Sequence, residues 1–177
     1  HPVSEDLRRM LMELAALTDK LTVEWTPPSD GPERPCVRVL RADGTDTGIA
    51  FHGVPGGHEF NSFVVGLYNA AGPGQSIDPA LAEAIAAIDR PLDLQIVVAL
   101  SCTMCPELVI AAQKIAASNP LVTAKVYDVN HFPELRERYK IMSVPCLIIN
   151  KAKVAFGKKT LGQLLELLAE PEDGQTG

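Results

Sequence analysis

Two cysteines separated by two residues, Cys102 and Cys105, are the side chains of this sequence best suited to chemistry. A run of strand-forming residues (92–100) leads directly into them, and residues 107–118 have the apolar spacing of an amphipathic helix. A sulfur at the N-terminus of a helix meets unpaired N–H groups and the positive end of the helix dipole, which favour its thiolate. The spacing also lets the second sulfur close a disulfide. The pattern therefore predicts dithiol–disulfide exchange.

Within this pair, Cys102 is the predicted nucleophile, because only the N-terminal cysteine has its sulfur beyond the first turn of the helix. Cys105 is the predicted resolving thiol. Placement at a helix end lowers a thiol pKa from about 8.5 toward ambient pH, as exchange requires. The alternatives are an inert buried pair or half of a zinc site. Zinc needs four ligands, and the four histidines are scattered along the sequence, so no metal is expected.

Composition excludes several other classes of function. The 177 residues are 46% hydrophobic and 21% charged, as is ordinary for a globular protein. A net charge of −6 without a cluster of basic residues argues against nucleic-acid binding. No apolar run reaches the length of about 18 residues that a membrane span needs, and no signal peptide opens the sequence. Four cysteines are too few for a disulfide-stapled secreted scaffold, so we expect a cytoplasmic location.

The order of the predicted elements divides the chain near residue 90, after a helix that Asp78 caps. The first part (1–90) is predicted to contain a helix, three strands and two further helices, with a loop at 27–32. The second part (91–170) follows the order β-α-β-α-β-β-α, and residues 171–177 form a polar tail that we expect to be flexible. The predicted bounds are helix 5–20, strands 21–25, 35–40 and 49–52, helices 58–71 and 78–88, strand 92–100, helix 103–118, strand 121–129, helix 133–139, strands 146–150 and 153–156, and helix 160–170.

The two parts share a sequence pattern. Residues 34–37 match residues 144–147, each with a proline followed by a cysteine, and residues 51–53 match residues 155–157 before a helix. Residues 21–23 match residues 122–124. The first part lacks counterparts of the strand 92–100, of the helix near 135 and of the cysteine pair. We interpret this as a duplicated α/β unit whose first copy has degenerated; a chance match of short patterns is the alternative.

The second part resembles the thioredoxin superfamily, through its element order, Cys102-Thr103-Met104-Cys105, and Val144-Pro145 about forty residues later. In that family the proline peptide bond is cis and lies against the active-site sulfurs. An X-Pro bond adopts cis at modest cost, and a proline that begins a strand is tolerated. The resemblance therefore implies that Pro145 belongs to the site. The alternative is a proline that merely opens a strand.

A closer resemblance covers residues 4–170. Gly53-Val54-Pro55-Gly56-Gly57-His58-Glu59-Phe60, Ser101–Pro106 and Met142–Pro145 are similar to motifs of the N-terminal domain of the flavoprotein component of bacterial alkyl hydroperoxide reductase. The resemblance implies an α/β protein of two fused thioredoxin-like folds, the first degenerate. It also implies a protein-disulfide oxidoreductase that takes electrons from a flavoprotein or thioredoxin-reductase-like donor and passes them to a peroxiredoxin-type disulfide. From composition, no nucleic-acid or membrane partner is expected.

The resemblance also assigns a role to Glu59. Thioredoxins carry a buried acid six residues before the first cysteine, where this chain has Ile96. In the alkyl hydroperoxide reductase family, the glutamate that matches Glu59 reaches the disulfide from the half that lacks the cysteine pair. A desolvated carboxylate there would have a raised pKa and could shuttle a proton. The alternative is a solvated acid in the first turn of a helix.

Other readings remain open at this point. No Gly-x-Gly-x-x-Gly fingerprint occurs, so neither FAD nor NADH is expected in this chain, and both are expected on a partner or on a missing C-terminal domain. The chain begins with His1, which fits either an excised domain or a free-standing relative. It could instead be a general protein disulfide reductase, a glutaredoxin-like protein or a redox-inactive docking module. Cys36, Cys146 and Trp25 are expected in the core.

Overall fold

The elements of the fold follow the predicted order closely in the second part of the chain. A computed structural model describes residues 2–27 and 34–171. In chain order the elements are α1 (Pro2–Ala16), β1 (Cys36–Leu40), β2 (Asp46–His52), α2 (Glu59–Ala71), α3 (Pro79–Ala86), β3 (Leu92–Val98), α4 (Cys105–Ser118), β4 (Val122–Asp128), α5 (Glu134–Arg138), β5 (Cys146–Ile149), β6 (Lys153–Phe156) and α6 (Leu161–Ala169).

The six strands form one sheet in the order β1-β2-β4-β3-β5-β6. Strand β4 runs parallel to both β3 and β2, whereas β5 is antiparallel to β3 and to β6. Strands β4-β3-β5-β6 with α4, α5 and α6 make the thioredoxin-like unit of the second part. The β1–β2 hairpin extends that unit's sheet, because β2 pairs with β4. The boundary near residue 90 stays a prediction.

Both faces of the central strands are covered, as a sheet with parallel strands requires. Alternate residues of β3 point to opposite faces. Leu94, Ile96 and Val98 belong to the larger cluster, to which α1, α2, α4 and α6 contribute, and Val97 belongs to a smaller cluster beside α5. Each such aliphatic side chain contributes about 1.5–3 kcal/mol on full burial. None of the described helices is long and apolar enough to span a membrane.

The predicted internal repeat is confirmed in the hairpins. Cys36 of β1 pairs with His52 of β2, and Cys146 of β5 pairs with Phe156 of β6 in the same way. A helix follows each hairpin, α2 in the first part and α6 in the second. The two units are therefore built alike, although the first lacks the pair of central strands that β3 and β4 supply to the second.

The turns that follow the two hairpins repeat the same hydrogen bond. The amide of Gly53 donates to the carbonyl oxygen of Pro35 (2.9 Å), and the amide of Gly157 donates to that of Pro145 (3.1 Å). Both prolines follow cis peptide bonds, at Arg34-Pro35 and Val144-Pro145. The matched prolines of the sequence thus occupy equivalent places in the two units.

The N-terminal region departs from the sequence prediction. Residues 21–27 form no strand; β2 already has β1 on one side and β4 on the other, so no place beside it remains. The first helix runs from Pro2 to Ala16 rather than over 5–20, and beyond it the Thr18 hydroxyl accepts the Lys20 amide (3.2 Å). Trp25 is half exposed beneath the Arg8 guanidinium instead of lying in the core.

Two further predictions fall largely outside the described residues. They are the loop at 27–32, of which only Pro27 is described, and the tail at 171–177, of which only Pro171 is described. The Asp78 cap is confirmed, since its Oδ1 accepts the amide of Ala80 (2.8 Å) and Pro79 opens α3.

Candidate functional site

The two predicted redox cysteines are joined at the corner between β3 and α4. They form a disulfide with Cα atoms 5.6 Å apart. Helix α4 begins at Cys105, so Cys102 precedes the helix and its N-cap residue Met104. The Cys102 amide donates to the carbonyl oxygen of Ala99 (3.0 Å), which turns the chain out of the strand. The predicted arrangement is therefore present, with Pro106 in the first turn, where its missing N–H costs little.

The two cysteines differ in burial. Cys102 is partly exposed, whereas Cys105 has no exposed surface. Half of the Met104 side chain is exposed between them, which leaves an apolar surface beside Cys102. A disulfide or thiol of another protein can therefore approach Cys102 and cannot approach Cys105. This asymmetry matches the predicted division into nucleophile and resolving thiol.

Pro145 lies opposite the disulfide at the start of β5. The Val144-Pro145 peptide bond is cis, as the resemblance to thioredoxins implied. The carbonyl oxygen of Val144 lies 3.9 Å from Cys102 Sγ, so this loop contacts Cys102. Pro145 itself is buried, and Met142, just before it, is almost fully exposed. The structure therefore brings Cys102, Cys105 and the Val144-Pro145 loop together.

The motif that carries Glu59 is attached to the same corner. The His58 amide donates to the carbonyl oxygen of Leu100 (2.9 Å), two residues before Cys102. A Cβ atom at Gly57 would lie 2.6 Å from that oxygen, and the φ of Gly57 is +53°, so only glycine fits both constraints. The start of α2 is thereby held against the start of the cysteine loop.

Helices α2 and α4 lie side by side and run in the same direction. Near the middle of the pair, a Cβ atom at Gly66 would lie 2.9 Å from the Gln113 side chain. Lys114 Nζ donates to the carbonyl oxygen of Pro73 (3.3 Å), just beyond the end of α2. The amide of His58 at the start of α2 donates to Leu100, which precedes the cysteine loop. The start of α2, which carries Glu59, therefore lies toward the end of the helix pair at which α4 begins.

Glu59 is fully buried on the side of α2 that faces α4. It shares that side with Ser62 and Gly66, three and seven residues later. Its side chain has no exposed surface, and among the described residues Oε1 has no hydrogen-bond partner. Burial raises the pKa of Glu59 to about 7, against the lowering effect of a hydrogen bond from Ser62. A solvated first-turn acid is thus ruled out, because the side chain is fully buried.

Ser62 and Gln113 form a buried polar network around Glu59 that sequence reasoning missed. The Ser62 hydroxyl contacts Glu59 Oε2 closely and lies 2.9 Å from the backbone oxygen of Glu59. Gln113 Nε2 donates to the carbonyl oxygen of Ser62 (2.9 Å). The signal available in the sequence was the i, i+3 spacing of Glu59 and Ser62 on a helix with an apolar side. Ile96, at the position of the thioredoxin acid, is fully buried in the core.

The two remaining cysteines lie outside this site. Cys146 is fully buried, which raises the pKa of its thiol to about 11 and keeps it protonated at neutral pH. Its predicted packing role is therefore confirmed. Cys36 is only partly buried, and its Sγ lies 3.8 Å from His52 Nε2. His52 in turn stacks on Tyr127, with ring centroids 4.1 Å apart.

Metal ligands do not cluster in the part of the chain that the structure describes. No group of three or more His, Cys, Asp or Glu side chains there could hold an ion. His58 immediately precedes α2, and His131 Nε2 lies 3.7 Å from Asp128 Oδ2.

Comparison with known proteins agrees with this geometry. A profile of the thioredoxin domain family matches residues 92–169. The crystal structure of the NTD_N/C domain of alkylhydroperoxide reductase AhpF from Enterococcus faecalis superimposes with a TM-score of 0.90 and 38% identity, over 96% of this chain and 86% of that one. The chain belongs to the family of AhpF N-terminal domains. Its fold is thus a tandem of thioredoxin-like units with the Cys-x-x-Cys disulfide in the second.

The curated relatives in this family are longer than this chain. The F subunit of alkyl hydroperoxide reductase from Pseudomonas aeruginosa is 33% identical over 97% of this chain, and a protein named NADH dehydrogenase from Ferdinandcohnia aciditolerans is 31% identical over the same share. The chain spans 32% of the length of each of these curated relatives.

Proposed function

We propose that this chain is an electron carrier that works by dithiol–disulfide exchange at Cys102 and Cys105. Electrons would enter from a flavoprotein disulfide reductase, on a partner or on a further domain, and leave to a peroxiredoxin-type disulfide. The observation that carries the proposal is a disulfide between one partly exposed cysteine and one fully buried cysteine. Family membership supports it, since several relatives bear the name of the alkyl hydroperoxide reductase F subunit.

In the first step of delivery, the Cys102 thiolate attacks one sulfur of the acceptor disulfide. A mixed disulfide forms and the acceptor's other sulfur leaves as a thiolate. The Cys105 thiol then gives its proton to the Glu59 carboxylate and attacks Cys102 Sγ, which releases the second acceptor thiolate. The chain ends as the Cys102–Cys105 disulfide, and two electrons have passed to the acceptor.

Reloading reverses these steps. A donor thiolate attacks Cys102 Sγ, and Cys105 leaves as a thiolate that takes a proton from the Glu59 carboxylic acid. A second donor thiolate then resolves the mixed disulfide. A carboxyl with a pKa of about 7 can serve as base in one direction and as acid in the other. Pro145 is proposed to shape the surface against which the partner's sulfurs align, since its loop contacts Cys102 Sγ.

FAD and NADH have no place in these steps. The sequence has no glycine-rich dinucleotide fingerprint between a strand and a helix. We therefore assign both cofactors to the donor, and a cytoplasmic location remains part of the proposal.

Rapid-mixing kinetics of the pre-reduced chain with an oxidised two-cysteine peroxiredoxin test the proposal. We expect stoichiometric reduction of the peroxiredoxin, abolished in Cys102→Ser and unaffected in Cys36→Ser. Equal rates with unrelated protein disulfides would favour a general disulfide reductase, and a preference for glutathione mixed disulfides would favour a glutaredoxin-like role. Unchanged partner function in Cys102→Ser would leave only a docking module.

A further inference from the structure

The Ser62 hydroxyl faces two acceptors but has one hydrogen to donate. Its Oγ closely contacts Glu59 Oε2 and lies 2.9 Å from the backbone oxygen of Glu59. A hydroxyl donates one hydrogen bond and accepts up to two. When Glu59 is ionised, Oε2 can only accept a hydrogen bond, and Ser62 is the donor that the described part of the structure places beside it. When Glu59 is protonated, its own O–H can donate to Ser62 Oγ, which frees the serine hydrogen for the backbone oxygen.

We propose that Ser62 is a positioning residue that keeps the Glu59 carboxyl hydrogen-bonded in both protonation states by rotating its single hydroxyl hydrogen between these two acceptors. The inference rests on the proposed function, because it explains how Glu59 gains and loses a proton during exchange. No heavy atom needs to move in either direction.

The burial of Glu59 makes this hydrogen bond from Ser62 necessary. Neither Glu59 nor Ser62 has exposed surface, so water cannot solvate the carboxylate. An ionised carboxylate without a donor would be strongly disfavoured there. The Ser62 hydrogen bond stabilises the charged form and opposes the effect of burial on the pKa of Glu59. Without the hydroxyl, the carboxyl would hold its proton to higher pH.

Gln113 fixes the serine in place from the opposite helix. Its Nε2 donates to the Ser62 carbonyl oxygen (2.9 Å), and Gly66 makes room for its side chain. Gln113 is itself almost fully buried. The backbone that carries Ser62 is therefore clamped to α4, the helix that begins with Cys105.

None of the charged side chains described on the neighbouring elements pairs with Glu59. Lys114 bonds to Pro73 at the far end of α2, and Glu107 is exposed on α4. On the hairpin that α2 also contacts, Arg38 pairs with Asp46 (3.6 Å), and Cys36 and His52 contact one another. Among the described residues, the remaining titratable groups on α2 and beside its start are the exposed Tyr68 and His58 and, once reduced, the thiols of Cys102 and Cys105.

Carbon NMR of the chain labelled at its glutamate carboxyl groups tests the inference, with Glu59→Gln identifying the signal. We expect the Glu59 titration to lie about one pH unit higher in Ser62→Ala, because a hydrogen bond to the charged form is lost. Ser62→Thr, which keeps the hydroxyl, should restore it. Ser118→Ala, at an exposed serine near the end of α4, should leave it unchanged. Resolution of the mixed disulfide at pH 7 should slow by up to about fivefold in Ser62→Ala, as the ionised fraction of Glu59 falls.

An unchanged Glu59 titration in a folded Ser62→Ala chain, checked by urea unfolding, would overturn the inference. The proposed function fails by a different result, namely reduction of the peroxiredoxin that is unchanged in Cys102→Ser. The titration reports on the Ser62–Glu59 pair alone and needs no exchange partner, so the two failures are distinguishable.

Discussion

Gly57 meets the backbone of Leu100 at a distance that no side chain permits. A Cβ atom on Gly57 would lie 2.6 Å from the Leu100 carbonyl oxygen, and the same oxygen accepts the amide of the next residue, His58. This contact joins the first unit, which lacks the cysteine pair, to the loop that carries Cys102. It sets the position of α2, and with it the position of Glu59 beside the start of α4.

Replacing Gly57 with alanine should therefore loosen the join between the two units. The positive φ and the close contact together should cost about 1–3 kcal/mol of unfolding free energy. Urea unfolding of the oxidised chain measures this. Gly56→Ala is the matched control, since a Cβ there has nothing within 4 Å. Equal stability of the two variants would contradict the account of this contact.

Glu59→Gln should slow the second step of exchange and spare the first. With an aromatic disulfide that releases a coloured thiolate, attack by Cys102 frees the first equivalent and closure by Cys105 frees the second. We expect the second phase to slow at least about tenfold, because its general base is lost. In the unsubstituted chain this phase should fall as pH drops below about 7, where Glu59 becomes protonated.

The first phase serves as the internal control in this experiment. It should be the same in both chains, because in the proposed steps Glu59 exchanges a proton with Cys105 and takes no part in the attack by Cys102. A second phase with the same rate and pH dependence in Glu59→Gln would remove this residue from the mechanism.

Stability should also depend on pH through Glu59. Its pKa is raised from an ordinary 4.5 to about 7 in the folded chain, so the folded state binds the proton more tightly than the unfolded state does. The resulting stability is fully present below about pH 4.5 and is lost as pH rises to about 7. The difference amounts to about 3 kcal/mol.

Urea unfolding of the oxidised chain across this range, compared with Glu59→Gln, isolates that contribution. The variant should lack it, so the stabilities of the two chains should diverge by up to about 3 kcal/mol between pH 4.5 and pH 7. Parallel curves would show that Glu59 keeps an ordinary pKa and is not desolvated.

Alkylation of the reduced chain should distinguish its thiols by burial. In a Cys36→Ser background at pH 8, we expect iodoacetamide to modify Cys102 first, since that side chain is partly exposed before α4. Cys146 should react only after unfolding, because it is fully buried and the pKa of its thiol is about 11. Peptide mass spectrometry gives the order. Modification of Cys146 as fast as Cys102 in the folded chain would contradict the assigned burial.

Much of the second unit could be predicted from the sequence, because the signals there are local. Strand β3 is a continuous apolar run, α4 has helical spacing, and Cys102 and Cys105 stand at their junction. The role of Glu59 came from resemblance alone; residue type and spacing equally fitted a solvated acid. Its burial depends on how α2 packs against α4, which no local pattern reveals.

The wrong predictions for the first part of the chain also arise because contacts between distant residues decide the outcome. Residues 21–25 alternate as a strand would, but a strand needs a partner, and β4 from the second unit occupies the open side of β2. Ser62 escaped notice because a serine in a helix carries no signal until its neighbours are known. The prediction that Trp25, at the end of the predicted strand 21–25, lies in the core is wrong, because its ring is half exposed beneath Arg8.

Trapping the mixed disulfide tests the central claim most directly. Reduced Cys105→Ser, mixed with an oxidised two-cysteine peroxiredoxin, cannot resolve the first exchange product. We predict a stable one-to-one adduct whose only intermolecular bond, mapped by peptide mass spectrometry, is at Cys102. An adduct through Cys36 or Cys146, or no adduct while Cys102 remains a free thiol, would contradict the account.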